Sequence, residues 1–420
     1  MKKWLVTVLI LILSISFFSV DFAQSSSSST NHGKVESFQL GVEALLKDQV
    51  HLLKGKKVGL ITNPTGIDQS FESIVDSFYD HNGINLVALF GLEHGVRGSE
   101  EAGAYVPFYI DEKTGLPVYS LYGETKKPTP EMLKNIDVLV FDIQDVGARF
   151  YTYIYTMAFA MEAAKENNIP FIVLDRPNPI SGVKVEGPIL DTKYSSFVGL
   201  YPIALQHGMT VGELANFFNK EFNIGAKLTV VKMKGWKRNM YYDETPLQWI
   251  LPSPNMPTLD TALVYPGAAL IEGTNISEGR GTTKPFELIG APFIDGEELA
   301  QKLNELKLPG VMFRSAYFTP TTSKFNGQLS GGIQIHITKR KSYQSVKTGI
   351  AIVKTIHDLY PKQFAFRAED SKGISYFDQL IGNGWIRKAI NDGTSFRDIE
   401  KRWQSELKKF EKKRKKYLLY

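Results

Sequence analysis

The 420-residue chain contains no cysteine, which excludes disulfides, thiolate metal ligands, a cysteine nucleophile and a lipid-modified amino-terminal cysteine. Its stability must then come from core size, and 43% hydrophobic and 12% aromatic residues over this length supply enough for two packed domains. The excess of one charge sign over the other is also small. The formal net charge is +5, and the basic residues are spread along the chain except in "KKFEKKRKKYLLY" (Lys408 to Tyr420). A nucleic-acid binder concentrates more positive charge than this. Several catalytic signatures are missing as well. There is no H-E-x-x-H zinc motif, because Glu93 precedes His94 and no second histidine follows four residues on. There is no G-x-S-x-G elbow; "NPISG" places Pro179 and Ile180 ahead of Ser181. No G-x-G-x-x-G follows the first apolar run, where "TNPTGID" (Thr62 to Asp68) is short and interrupted by Pro64, so a Rossmann-like sheet here is a scaffold and carries no dinucleotide fingerprint.

What is present begins with "MKKWLVTVLILILSISFFSV", in which Lys2 and Lys3 precede an apolar run to Val20. It reads as an export signal with processing near Ala23. Asp21 occupies a position where cleavage sites favour a small residue, which leaves retention as an amino-terminal membrane anchor as the alternative. Residues 1–23 are therefore signal or anchor, and residues 24–35 are a Ser-rich tether. The expected location is secreted or extracytoplasmic.

From Val35 onward, short runs that are apolar on both faces alternate with amphipathic stretches: "KKVGLITNPTG", "INLVALFGLEHG", "IDVLVFDIQDVG" and "IPFIVLDRPNP" are separated by "SFESIVDSFYDH" and "YTYIYTMAFAMEAAKENN". This alternation predicts a mostly parallel sheet covered by helices, a Rossmann-like α/β domain over residues 36–258. Each apolar run stops at polar residues: Thr62 and Asn63; Glu93 and His94; Asp142, Gln144 and Asp145; Asp175, Arg176 and Asn178. Parallel strands would bring these four groups to one edge, where ligands bind in such sheets. "LQHGMTVGELANFFNKEFN" reads as a loop carrying His207 into a helix, with Thr210 and Glu213 in capping-box positions. The prolines of "GWKRNMYYDETPLQWILPSPNMPT" argue for an extended connection. Beyond it, residues 259–420 read as a smaller α+β domain containing "GGIQIHITKR", which alternates like a half-buried strand. That part opens on "YPGAALIEGTNISEGRGTTKPFELIGAPF", an irregular segment holding Glu272, Asn275, Glu278, Arg280 and Lys284. Such segments are often binding loops, and this one is expected to close a cleft opposite the strand ends.

Paired carboxylates suit glycoside hydrolysis, in which one protonates the leaving oxygen and a second group stabilises or attacks the anomeric carbon or activates water. Glu93, in an apolar and glycine-rich turn, is the candidate acid, since desolvation raises a carboxyl pKa. Candidates for the second group are Asp142, Asp145 and Glu278. A metal site built from His94, Asp142, Asp145 and His207 is a weaker expectation, because the spacing matches no known motif. Arg149, Arg176 and Arg280 suit a substrate carboxylate gripped in two places. Tyr151 and Tyr153 offer ring faces to a sugar. Gln144, Asn178 and Asn275 complete the candidate binding set. An exported solute-binding protein for acidic amino sugars is the rival reading, and it needs no catalytic Glu93.

Six ordered motifs, "LFGLEHGVRG", "FDIQDVGARFYTY", "LDRPNPISG", "LQHGMTVGEL", "PSPNMPT" and "EGTNISEGRGTTKPFELIGAPF", together resemble the exo-β-N-acetylmuramidases of bacterial cell-wall recycling, a family once catalogued as a domain of unknown function. The resemblance runs from about Phe38 to the carboxyl end. It implies release of N-acetylmuramic acid from the non-reducing end of peptidoglycan-derived glycans, with no metal or organic cofactor. It also implies a Rossmann-like domain joined to a smaller one with the active site in the cleft between them, and it puts the catalytic glutamate at Glu93. The lactyl carboxylate of N-acetylmuramic acid would give the arginines their purpose, and its 2-acetamido group is a nucleophile that can replace a protein carboxylate. The basic tail is either a solvated helix end or a weak electrostatic attachment to membrane or anionic wall polymers.

Overall fold

The computed structural model describes residues 37–93, 95–98, 107–123 and 125–420; the signal or anchor, the Ser-rich tether and His94 lie outside them. In chain order the first strands are β1 (Lys57–Thr62), β2 (Asn85–Gly91), β3 (Tyr109–Ile110), β4 (Pro117–Ser120), β5 (Val138–Asp142), β6 (Phe171–Leu174), β7 (Glu186–Ile189), β8 (Ala204–Gln206) and β9 (Leu228–Val231). Among the described residues, seven of these form one sheet in the order β3-β4-β2-β1-β5-β6-β9. All neighbours are parallel except β3 and β4. Setting β3 aside, the chain builds outward from β1 through β2 to β4, then returns to β5 beside β1 and continues outward the other way. This is the doubly wound Rossmann order, with its switch point between β1 and β5.

The strands are apolar on both faces because both are covered. On β5, Val138 and Val140 belong to one core cluster and Leu139 and Phe141 to the other. The helix Tyr153–Glu166 lies in the larger cluster, with Ile154, Met157, Ala158 and Met161 buried. Thr62 is in register with both Gly91 and Asp142, and its hydroxyl donates to the Asp142 carbonyl at 2.9 Å. The carboxyl ends of β1, β2 and β5 therefore finish at one level, as the alternation predicts.

Asp175, just past β6, ties this edge together. Its buried carboxylate accepts from the Gly212 amide (2.7 Å), the Thr210 hydroxyl (2.8 Å) and the Tyr420 phenol (2.7 Å). Thr210 and Glu213 cap the helix Val211–Glu221 reciprocally, as read from the sequence. Burial, reinforced by the Glu213 carboxylate, pushes Asp175 from 3.8 up to about 7. Between those values the folded chain holds a proton that the unfolded chain has lost, so this group's contribution to stability falls as pH rises through the window. Urea unfolding should therefore show a larger loss of stability from pH 4 to pH 8 in the wild type than in Asp175→Asn, by about 1–3 kcal/mol. Equal losses in both proteins would refute the assignment.

The remaining strands, β10 (Leu288–Ala291), β11 (Val311–Phe318) and β12 (Ser330–Ile337), form an antiparallel sheet in the order β10-β12-β11. β12 takes up the "GGIQIHI" segment whose alternation marks a strand. The helices Leu259–Ala268 and Ser345–Leu359 pack backbone to backbone at Gly267, where an added Cβ would lie 1.9 Å from the Ser345 carbonyl oxygen. Only glycine fits there. The helix Phe396–Arg414 carries the basic tail. It buries Ile399, Trp403, Leu407 and Phe410 and leaves Lys408, Lys409 and Lys412 exposed. Arg414 is buried and donates to the carbonyls of Gly182, Val183 and Gly208.

Candidate active site

Glu93 leaves the end of β2 in a tight turn closed by the Gly95 amide donating to the Leu92 carbonyl at 2.9 Å. Gly95 and Gly98 both hold positive φ, and a Cβ on Gly98 would meet the Pro64 ring at 2.5 Å, which explains the glycines of "GLEHGVRG". Leu92 and Val96 are buried on either side of the turn. Arg97 fastens it from outside with a two-point grip on Asp111 (2.6 and 2.9 Å) and a further contact to Asp76 (3.1 Å). The loop is thus pinned at both flanks while Glu93 itself stays half-buried.

Glu93 opens into a cavity of about 270 Å³. Tyr122, Tyr151, Tyr153 and Phe197 line it from the first part of the chain, and Tyr265, Glu272, Arg280 and Tyr376 from the second. The rings form a continuous edge-to-face wall: Tyr151 to Tyr153 at 4.7 Å between centroids, Tyr151 to Tyr265 at 5.8 Å, and Tyr265 to Phe286 at 4.8 Å. Tyr153 is anchored by its hydroxyl to the Pro252 carbonyl at 2.6 Å. The Tyr122 phenol hydrogen-bonds Glu93, and burial together with that carboxylate pushes it up to about 12. Burial raises Tyr151, Tyr153 and Tyr265 further, with Glu93 adding to each. These phenols are neutral hydrogen-bond donors at any physiological pH.

The strand-end groups converge, but most are committed to holding the framework and do not line the cavity. Asp142 is fully buried and gripped at two points by Arg176, Nε to Oδ1 at 2.5 Å and Nη2 to Oδ2 at 2.8 Å. Burial raises the Asp142 carboxyl and the guanidinium opposes it. The Gln144 amide donates to the carbonyls of Asp145 and Pro177, both at 2.7 Å. Asn178 joins Met209 to Ile180. Asp145 accepts from the Gly147 amide at 2.7 Å and lies 3.3 Å from Nε2 of the buried His207. Asp142 is thus held by Arg176, and among the described residues no group of three or more His, Asp or Glu side chains is placed to hold a metal ion. Asn275 braces a turn through Gln363 and Ala365.

Arg149 corrects the expectation of a carboxylate grip. Its guanidinium is fully buried and donates to three carbonyls, Pro188 (2.9 Å), Ile203 (3.0 Å) and Leu380 (2.9 Å). It makes no ion pair with a described residue, and burial lowers it to about 10. It therefore joins β7, the segment before β8 and the helix Tyr376–Ile381, and the aromatic wall begins at the next residue, Phe150.

Arg280 does reach the cavity. Its Nη2 lies 3.0 Å from Glu272 Oε1 and its Nε 3.3 Å from Glu278 Oε1. It stacks over the Phe286 ring at 5.1 Å. Glu278 is buried behind it and bonded to Lys324 at 3.0 Å. Of the carboxylates on this loop, Glu278 is the sequence candidate for the second group, whereas the cavity lining contains Glu272. The signal for this lies in "EGRG": Gly279 and Gly281 both have positive φ, so the chain doubles back and returns Arg280 to Glu272. Tyr122, Tyr265 and Tyr376 carry no local signature of a site.

Two family profiles, described as "Exo-beta-N-acetylmuramidase NamZ, N-terminal" and "Exo-beta-N-acetylmuramidase NamZ, C-terminal", match residues 58–260 and 263–420. The chain is 61% identical over 405 residues, 96% of its own length and 97% of the relative's, to the peptidoglycan β-N-acetylmuramidase NamZ of Bacillus subtilis. Two crystal structures of DUF1343 family proteins from Bacteroides fragilis superpose on it. One has a TM-score of 0.85 at 43% identity and the other 0.72 at 31% identity, each covering 91% of this chain and 99% of its own.

Proposed function

The chain belongs to the exo-β-N-acetylmuramidase family, and from that membership we infer that it is a glycoside hydrolase releasing N-acetylmuramic acid from the non-reducing end of peptidoglycan fragments. The solute-binding reading is not favoured, because a relative matching it almost end to end is a muramidase. The observation that carries the mechanism is that Glu93 and Arg280 line one aromatic cavity. An acid at the end of β2 protonates the glycosidic oxygen, and a guanidinium holds the feature that distinguishes muramic acid from glucosamine, its lactyl carboxylate. A cavity of about 270 Å³ suits a single terminal sugar, in keeping with action from a chain end. In this reading it is the active-site cleft where the Rossmann-like part meets the smaller carboxyl-terminal part. Export through the amino-terminal segment would put the enzyme on the side of the membrane where these glycans arise.

The test is hydrolysis of a chromogenic β-N-acetylmuramide beside the matching β-N-acetylglucosaminide by the full chain. Release from the muramide supports the reading, whereas a folded protein that releases neither chromophore refutes it. Arg280 makes a sharper claim. A charge-assisted hydrogen bond contributes about 1.5–3 kcal/mol, so Arg280→Ala should lower kcat/KM on the muramide at least about tenfold more than on the glucosaminide. Equal losses on both sugars would leave Arg280 as a support for Glu272 alone.

A further inference from the structure

We propose that Glu272 is the second catalytic carboxylate, the group that faces the positive charge building at the anomeric carbon when Glu93 protonates the leaving oxygen. The assignment rests on the muramidase reading above and deepens it. Glu93 and Glu272 both line the cavity. The other carboxylates weighed for the role have different occupations: Asp142 is locked to Arg176, Asp145 sits on the Gly147 amide beside His207, and Glu278 lies behind Arg280, bonded to Lys324.

Three features suit Glu272 to the task. Its side chain keeps 17% of its surface exposed while Glu278 keeps 4%, so it remains accessible. It is held in place: Arg280 binds Oε1, and Lys324 donates to the Ile271 carbonyl (3.2 Å) and the Ile276 carbonyl (2.8 Å), bracing the segment on both sides of it. Finally, Tyr265 lines the same cavity as Glu93 and Glu272, so one aromatic residue of the wall is shared by the two carboxylates. Burial raises the Glu272 carboxyl, with the Glu278 carboxylate adding to it, and the Arg280 guanidinium opposes both; that guanidinium is what supports the ionised form a counter-charge needs.

The step balances as follows. The proton of Glu93 passes to the glycosidic oxygen as the C1–O bond breaks, and the bonding pair leaves with that oxygen. The ionised Glu272 stabilises the oxocarbenium-like centre. Water then forms the new C1–O bond and returns its proton to Glu93, so that one water is consumed and both carboxyl groups are restored.

The experiment compares the full chain with Glu93→Gln and Glu272→Gln on two aryl β-N-acetylmuramides, one with an activated leaving group and one with a poor one. An activated leaving group needs no proton, so Glu93→Gln should recover much of its rate on it. Glu272→Gln should lose at least about 100-fold in kcat on both substrates, with binding of N-acetylmuramic acid by calorimetry and the thermal midpoint preserved. Glu272→Asp, which keeps the charge, serves if the glutamine variant does not fold; it should lose kcat while retaining binding. The assignment is overturned if Glu272→Gln stays within about tenfold of wild type, if an activated leaving group rescues it as it rescues Glu93→Gln, or if its loss lies in KM alone. A wild-type chain inactive on both substrates would instead remove the muramidase reading itself.

Discussion

Replacing Glu93 by glutamine is expected to lower kcat on a muramide with a poor leaving group by about 10²- to 10⁴-fold, the range of a positioned general acid. The amide keeps the size of the carboxyl group and its ability to accept from the Tyr122 phenol, but it has no acidic proton to give. Stability should be nearly untouched. Glu93 is half-buried on a turn whose anchorage comes from Leu92, Val96 and Arg97, and none of those contacts changes. The informative result is the pair of measurements together: turnover lost, thermal midpoint kept. A Glu93→Gln protein that hydrolyses the poor substrate at the wild-type rate would end the case for Glu93 as the acid.

The second large effect is on folding. Arg176→Met removes one partner of the buried pair with Asp142 and leaves a buried carboxylate without its counter-charge at the carboxyl end of β5. Breaking such a pair from one side typically costs about 3–5 kcal/mol, a large part of the stability of an ordinary domain. Denaturant unfolding measures it directly. Asp142→Asn should likewise act on stability first, with turnover per folded molecule retained. If Asp142→Asn instead kept wild-type stability and lost turnover, Asp142 would belong to the chemistry and the division of labour drawn above would be wrong.

The sheet was legible because parallel strands covered on both faces have little room for polar residues: "VLVF" in β5 and "FIVL" in β6 are buried throughout. The place where each run ends in polar residues was legible for the same reason, and so were the capping box at Thr210 and Glu213 and the strand in "GGIQIHITKR". What those polar residues do was not. A strand-end aspartate that meets a guanidinium 34 residues later reads like one that meets solvent, and only the fold shows that Asp142 and Arg176 satisfy each other. Arg149 is the plainest case. Arginines in a candidate cleft suggest anion binding, yet this one answers three backbone carbonyls, and backbone carbonyls have no sequence signature. Glu272 was obscured by chain reversal, since its partner Arg280 lies eight residues away in a segment without periodicity. Tyr265 and Tyr376 come from separate helices, and only tertiary packing brings them to one wall.

The Arg149 clamp also bears on how the cavity moves. Its three acceptors belong to β7, the residue before β8 and the helix Tyr376–Ile381, whose Leu380 lines the cavity, and a carbonyl pulled away from a buried guanidinium finds no water to replace it. Separating those segments therefore costs far more than a rotamer change. In slow amide exchange the helix Tyr376–Ile381 and strand β7 are therefore expected to open together as one cooperative unit, and separate opening of the two would argue against the clamp. A terminal sugar enters a shape that already stands, and little of its binding free energy is spent on building the site around it.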